Sequence, residues 1–163
     1  MKRIALTQGK EALVDDEDYE YLLQWKWCAV RDKRTFYVER KLTLASGRRK
    51  TILMHREIGA RAGWLKDQVD HQDRNGLNNQ RSNLRPATTA QNVSNRPILR
   101  SNTSGAVGVS WVTRDSKWRA QVGDSAARHI RYFDSNQFGA AVAWRDAKAK
   151  EVYGEFACLN EVV

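Results

Sequence analysis

Between Val69 and Leu84 the chain runs VDHQDRNGLNNQRSN, with one His, two Asp and four Asn and almost nothing apolar. A stretch this polar has no side of its own to bury, so it must be a surface loop whose packing comes from its flanks. Asn75-Gly76 marks a turn inside it. DQVDH before it and LRPAT after it read as strands, and Thr88 or Thr89 caps a helix through AQNVSNR. Strand, loop, strand, helix is therefore the order imposed around residue 75.

The same stretch holds the groups needed to cut a phosphodiester. A base must activate water, and a divalent cation must neutralise charge on the phosphate and the leaving oxygen. Mg²⁺ prefers oxygen ligands and keeps several waters, so one carboxylate and one amide oxygen suffice. Histidine titrates near neutrality and suits the base. Asp70, His71 and the downstream asparagines supply these groups. The alternative is that Asp and Asn cluster in turns because they hydrogen-bond their own backbone, and this reading is taken for Asn75, Asn78 and Asn79.

VDHQDRNGLNNQRSNLRPATTAQNVSNR resembles the motif of the HNH endonucleases, whose ββα-metal fold sets a His-bearing strand beside a metal-binding helix. His71, Asn83 and Asn92 match signature positions, twelve and then nine residues apart, and Asp70 matches the metal-binding acid. The likeness covers residues 53–96. It implies that His71 is the general base, that Asp70 and Asn92 hold one Mg²⁺ (or Mn²⁺), and that Asn83 ties the loop back to the His strand. Neighbours on a regular strand point to opposite faces, so Asp70 and His71 share a site only where the strand ends or twists. His55, in MHRE, is expected to pack or hydrogen-bond rather than react. Arg74, Arg81, Arg85 and Arg96 flank the cluster and are candidates to hold phosphates.

Upstream of the motif, RIALT, EALVD, WKWCAV, TFYVERKLTL and KTILM read as strands. DDEDYEYLLQ reads as a helical turn or two opened by capping Asp residues, and HREIGARAGW as a short helix. The basic run SGRRK (46–50) falls where a hairpin turn is expected; a phosphate contact is its alternative reading. Downstream, RPILRSNTSG (96–105) is the best linker candidate. GVSWV, KWRAQVG and HIRYF then read as three strands. A helix follows from Asp134 or Ser135 to about Tyr153, its alanines letting it approach a sheet closely. The expected class is α+β: a small mixed β/α unit leading into a ββα-metal module (1–98), a linker (99–105), and a three-stranded antiparallel sheet on one helix (106–163).

The last part resembles the plant ethylene-response-factor (Apetala-type) DNA-binding domain, from about Asn102 to Asn160. That likeness implies a sheet lying in the major groove with the helix behind it. Alternation sorts the faces: Val109, Trp111, Trp118, Ala120, Val122 and Ile130 toward the helix, with Phe138 and Trp144. Ser110, Arg119, Gln121, His129 and Arg131 then face outward, with Arg114 and Lys117 at the hairpin, and Arg and Gln suit guanine and adenine edges. The chain departs from the plant pattern at Val107, Ser110 and Val112, where arginines are usual, and at Arg131, where Gly is usual. DNA binding thus carries over better than any target sequence.

A formal charge of +9 and a pI near 9.8 agree with a polyanionic partner, double-stranded DNA. Cys28 and Cys158 form no CxxC pair and are expected as two buried, reduced thiols. Three scattered His and two scattered Cys do not make a structural zinc site. No apolar run has signal-peptide or membrane-span length, so the cytoplasm is expected, that of the host cell if a phage encodes the chain. Together these imply a site-directed DNA endonuclease of the homing or mobile-element kind that nicks one strand per site. The alternatives are a non-catalytic DNA-binding protein and a structure-specific phage nuclease. Monomer and dimer both remain open.

Overall fold

The computed structural model describes residues 1–32, 35–64, 68–96, 98–99, 101–123 and 127–160. Asp67 of the expected strand, and Pro97 and Arg100 of the expected linker, lie outside the described residues. The architecture is mixed α+β, with several small antiparallel sheets and a C-terminal helix. Two compact units divide the chain, Met1–Asn92 and Val93–Val163.

The first unit opens with a hairpin of β1 (Lys2–Ala5) and β2 (Glu11–Val14), followed by α1 (Asp16–Leu22). Asp15 precedes α1 but makes no capping bond from its side chain. Its carboxylate instead accepts from Arg81 N at 2.7 Å and Gln80 Nε2 at 3.3 Å, which anchors the distant polar loop. A three-stranded sheet follows: β3 (Cys28–Asp32), β4 (Thr35–Thr43) and β5 (Arg49–Leu53), with β4 central. WKW stays outside β3, where Trp27 is buried and donates to Leu22 O. Next come α2 (Met54–Arg61), β6 (Gln68–His71), β7 (Leu84–Ala87) and α3 (Thr89–Ser94). Thr88 starts α3 with a capping box: Gln91 N donates to Thr88 Oγ1, and Thr88 N to Gln91 Oε1.

The core of this unit gathers Ile4, Val14, Leu22, Trp27, Val38, Met54, Ile58, Val69 and Leu84. Burying that apolar surface is what holds the short elements together, since helices this brief are marginal alone. Gly59 is required where α2 meets β6, because a Cβ there would stand 2.7 Å from Val69 Cγ2.

In the second unit β8 (Val109–Val112), β9 (Lys117–Gly123) and β10 (Arg128–Phe133) form an antiparallel sheet in the order β10-β9-β8. The helix α4 (Phe138–Tyr153) backs it. It begins later than the expected Asp134 or Ser135; Trp118 Nε1 donates to Ser135 O, which holds that segment as a turn. Ala141, Arg145 and Ala149 make the buried stripe of α4. Arg145 is tolerated there because it donates to Cys158 O and pairs with Asp146. Ser104 Oγ donates to Val109 O at 2.6 Å, and Ala106 joins the core of this unit. Of the cysteines, Cys158 is buried but Cys28 is exposed, contrary to expectation. Among the described residues no helix is long and apolar enough to cross a membrane.

Candidate active site

The antiparallel pair β6–β7 sets Asp70 opposite Arg85 and His71 opposite Leu84. Alternation gives Gln68 and Asp70 one face of β6, and Val69 and His71 the other. On the first face Gln68 Oε1 accepts from Asn92 Nδ2 at 2.6 Å, and Gln68 Nε2 donates to Thr89 Oγ1, so α3 lies on this side. On the second face α2 contributes Gly59 against Val69 and His55 against His71. Regular alternation would part Asp70 from His71, but β6 ends at His71 and the Asp70 charge acts on the His71 ring.

His71 is buried, and burial lowers its pKa against the opposing pull of Asn79, Asp73 and Asp70. It is therefore neutral at pH 7, the form that accepts a proton. Asn79 Nδ2 donates to Gly76 O, which turns Asn79 Oδ1 toward His71 Nε2 at 3.4 Å. Nε2 then carries the hydrogen and Nδ1 the lone pair. The imidazole is further boxed by His55, edge-on at 4.8 Å, and Tyr37 at 5.8 Å between ring centroids. His55 is itself buried, its pKa mainly for that reason pushed down to about 3, and its Nδ1 has no hydrogen-bond partner among the described residues. Asn79, expected as an ordinary turn residue, is 1% exposed and orients the candidate base.

The polar loop is tightly closed. Asn83 Nδ2 donates to Asp73 Oδ1 and Asn78 O, while its Oδ1 accepts from Asp73 N at 3.0 Å. Gln72 N donates to Asn83 O, which joins both ends of the loop beside His71. Asn79 N and Leu13 N make backbone bonds that fix the loop to β2, and Gly76 N donates to Thr35 Oγ1 of β4. Asn75 and Asn78 serve as turn residues: Leu77 N donates to Asn75 Oδ1, and Gln80 N to Asn78 Oδ1.

Two of the arginines expected at phosphates are internal ion-pair partners instead. Arg81 donates to both oxygens of fully buried Asp18 at 2.7 and 2.8 Å. Arg85, itself buried, places Nε and Nη2 on Asp70 Oδ2 at 3.0 and 2.8 Å. Arg74, with a left-handed φ of 62°, and Arg96 are exposed.

The donors present suit a hard cation. Gln68 fixes the Asn92 carboxamide with Nδ2 inward, and its Oδ1 has no partner among the described residues. With the Asp70 carboxylate, that oxygen would offer the all-oxygen donor set that Mg²⁺ accepts with its waters. Arg85 is the competing charge at Asp70. Among the described residues no three His, Cys, Asp or Glu side chains cluster as a metal site.

In the second unit the register corrects one strand of the expected DNA face. Arg119 pairs with Ser110 and Tyr132, and Gln121 with Ile130, so these five share a face. Ile130 and Tyr132 are 43% and 50% exposed. His129 and Arg131 lie on the other side with Phe133, where Arg131 covers the Phe133 ring and His129 acts on Glu151 of α4. Phe133 opposite Trp118 is the pair that sets this parity. Arg114 pairs with its neighbour Asp115 at the hairpin, and Lys117 lies 3.8 Å from Asp134.

No family model matches the chain, and no solved structure matches it. An uncharacterized HNH endonuclease of Acanthamoeba polyphaga mimivirus is 33% identical over 94 residues, 58% of this chain. The match covers 47% of that viral protein, so the chain spans less than half its length. Protein 3.8 of Escherichia phage T7 is 37% identical over 89 residues, 55% of this chain and 72% of the phage protein. With that identity over most of the relative's length, the chain belongs to the family of phage T7 protein 3.8.

Proposed function

We propose that the chain is an HNH-type, metal-dependent DNA endonuclease of the homing or mobile-element kind. The observation that carries this reading is the strand–loop–strand–helix unit around His71. In it Asp70 and His71 end β6, Asn83 closes the loop, and Asn92 is held against β6 by Gln68. The similarity to a viral protein named as an HNH endonuclease supports it.

In this reading His71, neutral through burial and oriented by Asn79, takes a proton from water through Nδ1 as the water attacks phosphorus. Asp70 and Asn92 would hold the Mg²⁺ (or Mn²⁺) through their oxygens. That ion supplies charge neutralisation at the phosphate and the 3′ leaving oxygen. Asn83 keeps the loop closed and the His71 end of β6 in place. Cleavage leaves a 5′-phosphate and a 3′-hydroxyl, and one such site cuts one strand. The sheet β8–β10 docks on duplex DNA through Ser110, Arg119 and Gln121, with Arg114 and Lys117 at its hairpin.

A non-catalytic DNA-binding protein is the second reading, and the Asp70–Arg85 ion pair favours it, because Arg85 already neutralises the acid a cation would need. Incubation with supercoiled plasmid separates the two. Mg²⁺ should give relaxed circles, and EDTA should prevent them while gel-shift binding persists. Binding with no relaxation under Mg²⁺ or Mn²⁺ selects the second reading.

A further inference from the structure

The hairpin of β4 and β5 projects from its unit, since every residue from 41 to 51 is exposed. Its turn is closed by Leu44 N to Arg48 O at 2.8 Å and Gly47 N to Leu44 O at 2.9 Å. Lys41, Arg48, Arg49 and Lys50 lie in this segment, with no acidic residue among them. Lys41 is engaged by Glu39 and Thr51. The side chains of Arg48, Arg49 and Lys50 have no hydrogen-bond or carboxylate partner among the described residues, whereas Arg61, Arg81 and Arg85 of the same unit are all paired with Asp. Cross-strand register sets Leu42 beside Lys50, and the turn sets Leu44 beside Arg48. One face of the ribbon is thus cationic and apolar together, with Leu42 and Leu44 39% and 41% exposed.

The other end of β4 belongs to the candidate site, where the Tyr37 ring lies 5.8 Å from that of His71. Six residues of strand, at roughly 3.3 Å each, separate Tyr37 from Thr43 by about 20 Å. Along duplex DNA, with one phosphate per strand every ~3.4 Å, this is a span of about six base pairs. A two-stranded ribbon is narrow enough for the major groove, where apolar side chains meet thymine methyl groups and cations meet phosphates.

We infer that the β4–β5 hairpin is a DNA-gripping arm, which holds the duplex about six base pairs from the phosphate presented to His71. The inference rests on the endonuclease reading, and it adds a contact in the nuclease unit itself. Such an arm contributes affinity through Arg48, Arg49 and Lys50 and leaves the chemistry to the site.

The test compares the full chain with Arg48→Ala/Arg49→Ala/Lys50→Ala and with Lys26→Ala/Arg31→Ala/Lys150→Ala, which removes the same charge elsewhere. The readouts are the slope of log affinity against log salt, on a labelled 30-base-pair duplex of mixed sequence, and plasmid nicking at saturating protein. The arm predicts a slope shallower by about two to three for the hairpin variant, since each lost phosphate contact removes ~0.9. The scattered variant should change it by less than about one, and both should nick at the wild-type rate once saturated. Equal slopes for the two variants overturn the arm while leaving the nuclease reading intact. A wild-type chain that binds no duplex overturns both.

Discussion

His55 buries an imidazole whose Nδ1 has no partner among the described residues, beside a second buried imidazole at His71. Its pKa, lowered from 6.5 to about 3, has a definite consequence for stability. Above pH 6.5 the folded and unfolded chains are both neutral at this residue. Below it the unfolded chain takes up a proton that the folded one refuses, so stability is lost as pH falls toward 3. The slope contributed by this group approaches ~1.4 kcal/mol per pH unit. Urea unfolding at several pH values between 7 and 4.5 should show a flatter dependence for His55→Leu than for wild type; equal slopes would remove His55 from the account. Asn79 is the other decisive residue. Asn79→Ala frees the His71 ring and leaves Gly76 O without its donor. It should cut the nicking rate about 100-fold and cost ~1–3 kcal/mol of stability. Wild-type nicking by this variant would mean that Asn79 does not orient the base. Nothing in the sequence separates Asn79 from Asn75 and Asn78, because what distinguishes them is burial against β2 and His71. Arg81 was equally illegible, since its partner Asp18 stands 63 residues away along the chain.

At the scale of elements, most of the fold could be read from local pattern. Both hairpin strands at the start, the β6–loop–β7–α3 order and the capping role of Thr88 follow from alternation, turn residues and cap chemistry, which act over a few residues. The faces of β10 did not follow. In RHIRYF the apolar residues Ile130 and Phe133 have opposite parity, so alternation alone allows either face to be buried. Pairing with β9 decides it, by setting Phe133 against Trp118 and leaving Ile130 and Tyr132 beside Gln121 and Arg119. The start of α4 was misplaced for a related reason, as Trp118 takes the Ser135 carbonyl from another strand. The corrected face makes a prediction of its own. Arg119→Ala/Gln121→Ala should weaken duplex binding by about 10- to 100-fold and relax any preferred cleavage pattern, each base contact being worth ~1–3 kcal/mol. If gel-shift affinity and mapped cleavage ends both stay as in wild type, this sheet is not the reader.

For the whole molecule, the excess of nine positive charges is unevenly used. Close to the candidate site Arg81 and Arg85 are tied to Asp18 and Asp70, whereas the β4–β5 tip presents its arginines to solvent. Net charge could suggest a polyanion, but only the pairing pattern distinguishes arginines that build the site from those placed to hold a ligand. On the proposed function, His71 is the base of a phosphodiester-cleaving site held together by β6, the closed loop and α3. That role is read from the Mg²⁺-dependent nicking rate of supercoiled plasmid by His71→Ala, with gel-shift affinity measured alongside in EDTA. The rate should fall about 100- to 10,000-fold, with duplex affinity within about twofold of wild type. A His71→Ala chain that nicks as fast as wild type would contradict it.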